Sequence, residues 1–179
     1  KQAQEEIRRL AMTDHLTGLA NRNQFHRRFD EHLRLAHREG LKLALMILDL
    51  DKFKLVNDDH GHQAGDALLQ AMAAIFVKHS RETDVVARLG GDEFAILVVH
   101  PDSADSVATI ARRIVDEVAE PITVMGHDIR SGTSIGIALY PDHADTEEEL
   151  IRKADLALYE AKDQGQNQFR FYRPGLEPN

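Results

Sequence analysis

Apolar residues recur along this chain in two spacings, one suited to helices and one to buried strands, and their alternation predicts a mixed α/β domain. Phe25, Phe29, Leu33 and Ala36 fall three or four residues apart ahead of Gly40, which predicts a helix over Arg22 to Glu39. The unbroken run Leu43 to Leu48, ending at Asp49, fits a strand covered on both faces. Leu68, Leu69, Met72, Ile75 and Phe76 mark one face of a second helix. Val85 to Leu89 and Phe94 to Val99 flank Gly90-Gly91-Asp92-Glu93, a hairpin whose glycines supply the dihedrals of a tight turn. Val107, Ile110, Ala111, Ile114 and Val118 predict a third helix that stops before Pro121, and Ser134 to Tyr140 reads as another buried strand. Thr146 and Glu149 form a capping box ahead of a last helix, striped by Leu150, Ile151, Ala154, Leu158 and Ala161 and closed near Gly165. Gln168 to Tyr172 is a candidate closing strand.

With 179 residues, 42% of them hydrophobic and 29% charged, the chain suits one globular domain. Residues 1–12 read as a charged helical linker, the end of a longer helix from an upstream signalling module; residues 13–173 form the domain and 174–179 a tail. No apolar run is long enough to cross a bilayer and no signal peptide opens the chain. The expectation is a cytoplasmic domain without membrane contact of its own, in a protein that parts outside this sequence could anchor. The net charge of −8 argues against nucleic-acid binding, which needs a basic face. Without cysteine, any metal must sit on oxygen or imidazole. Neither a His-Glu-x-x-His metalloprotease spacing nor a phosphate loop ending in Gly-Lys-Ser/Thr occurs.

Asp49 stands at the end of an apolar strand, where a carboxylate is costly unless a cation or hydrogen bonds compensate it. If the glycine hairpin neighbours that strand, Asp49, Asp92 and Glu93 converge, and hard oxygen ligands of this kind suit magnesium. Each of these residues alone would also fit a strand end or a solvated turn.

The wider pattern narrows the choice. Asp49-Leu50-Asp51-Lys52-Phe53-Lys54 continues through Asn57-Asp58, Gly61-His62 and Gly65-Asp66 to Arg88-Leu89-Gly90-Gly91-Asp92-Glu93-Phe94. Asp14-His15-Leu16-Thr17-Gly18-Leu19-Ala20-Asn21-Arg22 precedes it, and Ala161-Lys162 and Gly165 follow. In this order and spacing the chain resembles the GGDEF family of diguanylate cyclases over nearly its whole length. The resemblance implies a mixed sheet of about five strands surrounded by helices, a palm-like nucleotidyl cyclase fold. It implies condensation of two GTP molecules into cyclic di-GMP with release of pyrophosphate, by two domains that face each other in an at least transient homodimer.

Carried over position by position, the resemblance makes Asp49, the Leu50 carbonyl, Asp92 and Glu93 ligands of two magnesium ions, with manganese a substitute. Asp92 also matches the position that helps deprotonate the 3′-hydroxyl. Asn57 and Asp66 match guanine-reading positions, since a carboxylate can accept from the N1 and N2 hydrogens that adenine does not offer as a pair. His62 is a neighbour of that pocket, and Gly90 and Gly91 let the backbone approach the nucleotide. Lys54 and Lys162 match cations on the triphosphate. Four residues after Lys162 the family commonly has arginine, whereas this chain has the neutral Gln166.

Arg81 and Asp84 match an inhibitory site for cyclic di-GMP, with Arg113 a secondary arginine. The same R-x-x-D pattern at Arg27, Arg113 and Arg152 fits ordinary charge pairing on helix surfaces. Two readings therefore stay open: an active diguanylate cyclase, and a catalytically weakened module that binds GTP or cyclic di-GMP as a sensor. Gln166 favours the second; the full carboxylate set and both lysines favour the first.

Overall fold

A computed structural model describes residues 1–176, so the last three residues of the expected tail lie outside the described residues. The predicted helix over Arg22–Glu39 is present, α2, preceded by α1 (Gln2–Met12). Asn21 caps α2 by accepting from the Gln24 N–H, and Gly40, left-handed at φ 69°, ends it. The apolar run extends to β1 (Leu43–Asp51). Two helices follow rather than one: α3 (Phe53–His60) and α4 (His62–Lys78), broken at Gly61 with φ 90°. The short α3 carries too few apolar residues to announce itself by period.

The hairpin is β2 (Val85–Gly90) and β3 (Glu93–Val99), then comes α5 (Ala104–Ala119). A small hairpin that periodicity does not reveal, β4 (Ile122–Val124) and β5 (His127–Ile129), precedes β6 (Gly132–Tyr140). Its strands are three residues each, too short for an alternation to register. The chain continues with α6 (Glu147–Asp163), where Thr146 Oγ1 accepts from the Glu149 N–H, and β7 (Phe169–Phe171).

Five strands form one sheet in the order β2-β3-β1-β6-β7, antiparallel except for the parallel β6–β7 edge. Residues of β1 alternate between two apolar layers, which is why its run is continuous rather than alternating. Ala44, Met46, Leu48 and Leu50 pack with residues of α4 and α5, while Leu43, Leu45 and Ile47 pack with residues of α2 and α6. The same alternation puts Asp49 and Asp51 on the α2/α6 side of the sheet. At Gly136 the α6 backbone lies directly on the sheet: a Cβ there would fall 2.1 Å from the Ala154 carbonyl oxygen and 2.3 Å from the Leu158 nitrogen.

Candidate active site

The site begins where β1 leaves the core. Asp49 is paired with Glu93 of β3 on one side and Ser134 of β6 on the other. The hairpin therefore does neighbour the first strand, and its turn is built from glycine backbone at φ 149° (Gly90) and 48° (Gly91), the latter in the left-handed region. Arg88 braces this turn by donating from Nε to the Gly91 carbonyl at 2.9 Å. Its Nη1 is 3.0 Å from Asp14 Oδ1, in an ion pair with both side chains more than four-fifths buried. Asp14 in turn accepts from the Thr17 N–H and hydroxyl. The residues after α1 are thus tied to the strand that carries the glycine turn, a role that no local pattern disclosed.

Asp49 and Asp92 come together. Burial, followed by the hydrogen bond and charge of Asp49, pushes the Asp92 carboxyl up to about 7. Asp49 Oδ1 is buried with no hydrogen-bond partner, and the Asp92 carboxyl is near enough to share a hydrogen bond with the Asp49 side chain. Glu93 is raised too, chiefly by burial, with Asp155 and Asp49 adding repulsion and Arg22 opposing it. Expectation and structure part here: among the described residues, no three acidic or histidine side chains are grouped closely enough to hold one ion. The convergence expected of three carboxylates reaches the pair Asp49 and Asp92. Glu93 is their strand neighbour.

Lys162, on α6, fills the space between the aspartates of β1: its Nζ lies 3.1 Å from Asp49 Oδ2 and 3.8 Å from Asp51 Oδ1. Asp51, which sequence reasoning passed over, is a buried anchor. Its Oδ1 accepts from the Ser134 hydroxyl at 2.7 Å and its Oδ2 from the Asn167 N–H at 2.8 Å. The latter bond pins the loop after α6, where Gln166 and Asn167 hold φ of 64° and 50°. An aspartate two residues after a strand-end aspartate gave no separate signal.

Asn57 of α3 and the start of α4 meet at Gly65. A Cβ there would lie 1.8 Å from Asn57 Oδ1, so the amide rests on the glycine, beside Asp66 and in reach of solvent. His62 and Asp66 are exposed on the first turns of α4, and Lys54 is exposed on α3. Leu50 is buried.

Arg81 and Asp84 lie away from this cluster. Asp84 is buried and accepts from the Val99 and Arg81 N–H groups, while the Arg81 guanidinium donates to the Val99 carbonyl. The aspartate therefore has a structural duty of its own. Arg81 and Arg113 nonetheless line one cavity of about 320 Å³. Among the helical copies of the pattern, Arg27 and Arg152 pair with nearby carboxylates of their own helices, as expected of solvated faces.

The chain belongs to the GGDEF domain family of diguanylate cyclases: the family model described as "Diguanylate cyclase, GGDEF domain" matches residues 11–168. It is 41% identical over 177 residues to the bifunctional diguanylate cyclase/cyclic di-GMP phosphodiesterase MucR of Pseudomonas aeruginosa, covering 99% of this chain and 26% of that protein. It is 42% identical over 158 residues to the diguanylate cyclase TpbB of the same organism, covering 88% of this chain and 36% of TpbB. The chain thus spans well under half the length of these relatives.

Among solved structures, the GGDEF domain of TpbB superposes with a TM-score of 0.89 at 41% identity, covering 92% of this chain and 96% of that one. The coiled coil and GGDEF domain of DgcB from Caulobacter crescentus, in complex with c-di-GMP, superposes at 0.87 with 31% identity, covering 95% and 90%. Among the described residues no helix is long and apolar enough to cross a membrane.

Proposed function

We propose that this domain condenses two GTP molecules into cyclic di-GMP with release of two pyrophosphates. Two copies face each other, so that the 3′-oxygen of each GTP attacks the α-phosphorus of the other. The observation that carries the reading is the closed cluster of Asp49, Asp92 and Lys162 at the end of β1, beside an α3–α4 junction bearing Asn57 and Asp66. Asp49 Oδ1 is a buried oxygen in want of a positive partner, and the other oxygen already holds a cation, so the donor chemistry fits a hard divalent ion. Asp49, the Leu50 carbonyl, Asp92 and Glu93 would hold magnesium, two ions per site, with manganese able to replace it. When bound, magnesium supplies charge that offsets the triphosphate and favours in-line displacement.

The chain's own residues do the rest. Asp92 stands beside Asp49 at the end of the sheet, where its carboxylate would accept the 3′-hydroxyl proton. Lys162 and Lys54 carry positive charge to the phosphates and the departing pyrophosphate. Asn57 and Asp66, with His62 nearby, read guanine, and Gly90 and Gly91 leave room for the nucleotide. The product binds back at Arg81, whose N–H Asp84 holds, with Arg113 supplying a second guanidinium from the same cavity.

Incubated at high concentration with GTP and magnesium, the chain is expected to yield cyclic di-GMP by chromatography, less of it when cyclic di-GMP is added at the start, and none in excess chelator. Gln166 is the one observation that favours a second reading, a weakened module that binds nucleotide without turnover. The Gln166→Arg variant separates the two. Product only from that variant means a weakened site; no product from either, with cyclic di-GMP still bound, means a receptor.

Gly65→Ala tests the guanine site. Its Cβ must push away the Asn57 amide, a flexible side chain, so the fold survives while the amide leaves its position. GTP affinity should fall roughly tenfold, the worth of about one hydrogen bond, with unchanged circular dichroism. Unaltered GTP binding by a folded variant would remove Asn57 from the pocket.

A further inference from the structure

Two carboxylates of one strand share one ammonium at the end of β1. Asp49 and Asp51, two residues apart, face the same side of the sheet, and Lys162 reaches both from α6, 3.1 Å from Asp49 Oδ2 and 3.8 Å from Asp51 Oδ1. The nearer of the two is the carboxylate assigned above to magnesium. A divalent ion and the lysine therefore claim the same group, and two cations in contact with it repel each other. The ammonium needs a second place to rest.

Asp51 offers one. Its side chain is only 6% exposed, and its oxygens are held by donors from distant parts of the chain, Oδ1 by the Ser134 hydroxyl at 2.7 Å and Oδ2 by the Asn167 N–H at 2.8 Å. Its cross-strand partner is Gly132, where a Cβ would come 3.1 Å from Asp51 Oδ2, so the carboxylate lies in space that a larger residue would crowd. Asp51 is thus fixed, whereas Lys162 is a flexible stem, 31% exposed, that can swing. A movement of about 1 Å turns the 3.8 Å approach into a charge-assisted hydrogen bond. The Ser134 hydroxyl occupies one lone pair of Oδ1 and leaves another for the ammonium.

We infer that Asp51 is a positioning residue for Lys162: it takes over the ammonium when Asp49 binds a divalent ion, and so clears Asp49 without losing the lysine from the site. The inference rests on the metal assignment above and names the residue that makes room for it. Asp51 itself stays off the metal, its oxygens being engaged by Ser134, Asn167 and the lysine. Its effect on metal binding therefore exists only while Lys162 is present.

The test titrates manganese(II) into the chain without nucleotide and reads the free ion by electron paramagnetic resonance. Lys162→Met removes the competing cation and should bind the ion roughly tenfold more tightly than the parent chain, while Asp51→Asn strands the ammonium on Asp49 and should bind it roughly tenfold more weakly. In the Lys162→Met background the Asp51→Asn change should shrink below about threefold. Asparagine keeps the local fold, since its amide oxygen can accept from the Asn167 N–H and its NH₂ can donate to Ser134 Oγ, and circular dichroism checks this. Should it unfold, Ser134→Ala, which loosens Asp51 and keeps its charge, must weaken binding with Lys162 present and not without it. A loss as large in the Lys162→Met background as in the parent overturns the inference, because Asp51 would then act on the ion directly. Lys162→Met binding no more tightly than the parent overturns it too, even where the parent turns GTP into cyclic di-GMP. The expected pattern from a chain that forms no product from GTP sinks the cyclase reading and leaves the inference standing. Neither manganese binding by any variant nor product sinks both.

Discussion

Asp92→Asn should abolish cyclic di-GMP formation while making the metal-free protein more heat-stable at pH 8. Loss of a group that moves a proton in the transition state costs roughly 100- to 10,000-fold in rate. An amide in its place neither accepts the 3′-hydroxyl proton nor contributes negative charge toward a metal. The gain in stability has the same origin. Folding raises the Asp92 carboxyl from 3.8 to about 7, by burial and by the Asp49 carboxylate beside it. The folded state therefore holds a proton that the unfolded chain gives up between about pH 4 and 7. That contribution to stability is complete below pH 4 and is lost as pH rises through 7, leaving two half-buried negative charges in contact.

Asparagine cannot ionise, so the variant escapes the loss. Discounted for partial exposure, about 1 kcal/mol remains, or about 2–4 °C in melting temperature for a domain of this size. Parent and variant should melt together at pH 4 and separate at pH 8, in chelator at both. Product from Asp92→Asn within tenfold of the parent rate would take the residue out of the chemistry, and equal melting at pH 8 would mean that Asp49 and Asp92 do not repel.

Gly136→Ala should be the most disruptive single methyl group in the domain. The atoms that a Cβ would meet, the Ala154 carbonyl oxygen at 2.1 Å, the Leu158 nitrogen at 2.3 Å and the Leu158 Cα at 2.8 Å, all belong to the α6 backbone and cannot swing aside as a side chain can. The whole helix must lift. That loosens Leu150, Ala154 and Leu158 from the layer they share with Leu45 and Ile47, and withdraws Lys162 from Asp49. A cost of about 3 kcal/mol or more is expected, at the upper end of overpacking effects. Urea unfolding should show the midpoint falling with an unchanged slope. A loss under about 1 kcal/mol would mean that α6 tolerates displacement, and its hold on Lys162 would not be rigid.

Much of the molecule is legible in the order of its residues. The helices Arg22–Glu39 and Glu147–Asp163, the strand through Leu43–Leu48 and the glycine hairpin are local facts of period and turn chemistry, with Asn21, Gly40 and Thr146 marking their ends. The motifs from Asp49 to Asp92 are local too, which is why the family could be recognised before any geometry. Elements too short to establish a period, α3 and the β4–β5 hairpin, could not be read this way, and the first of them carries Asn57.

Tertiary contact settles a different class of question. Chain order places Asp14 beside nothing charged, yet the fold sets it against Arg88, 74 residues away. It turns Asp51 from one more acidic residue into the anchor of a loop 116 residues distant, pairs Lys162 with Asp49 rather than leaving it to solvent, and brings Asp92 onto Asp49. Periodicity and turn chemistry act within a few residues, so the chain announces its elements and its motifs. The charge state of a carboxylate and the occupant of a cavity wall depend on neighbours that only packing supplies, and these set which of the motif residues can act together.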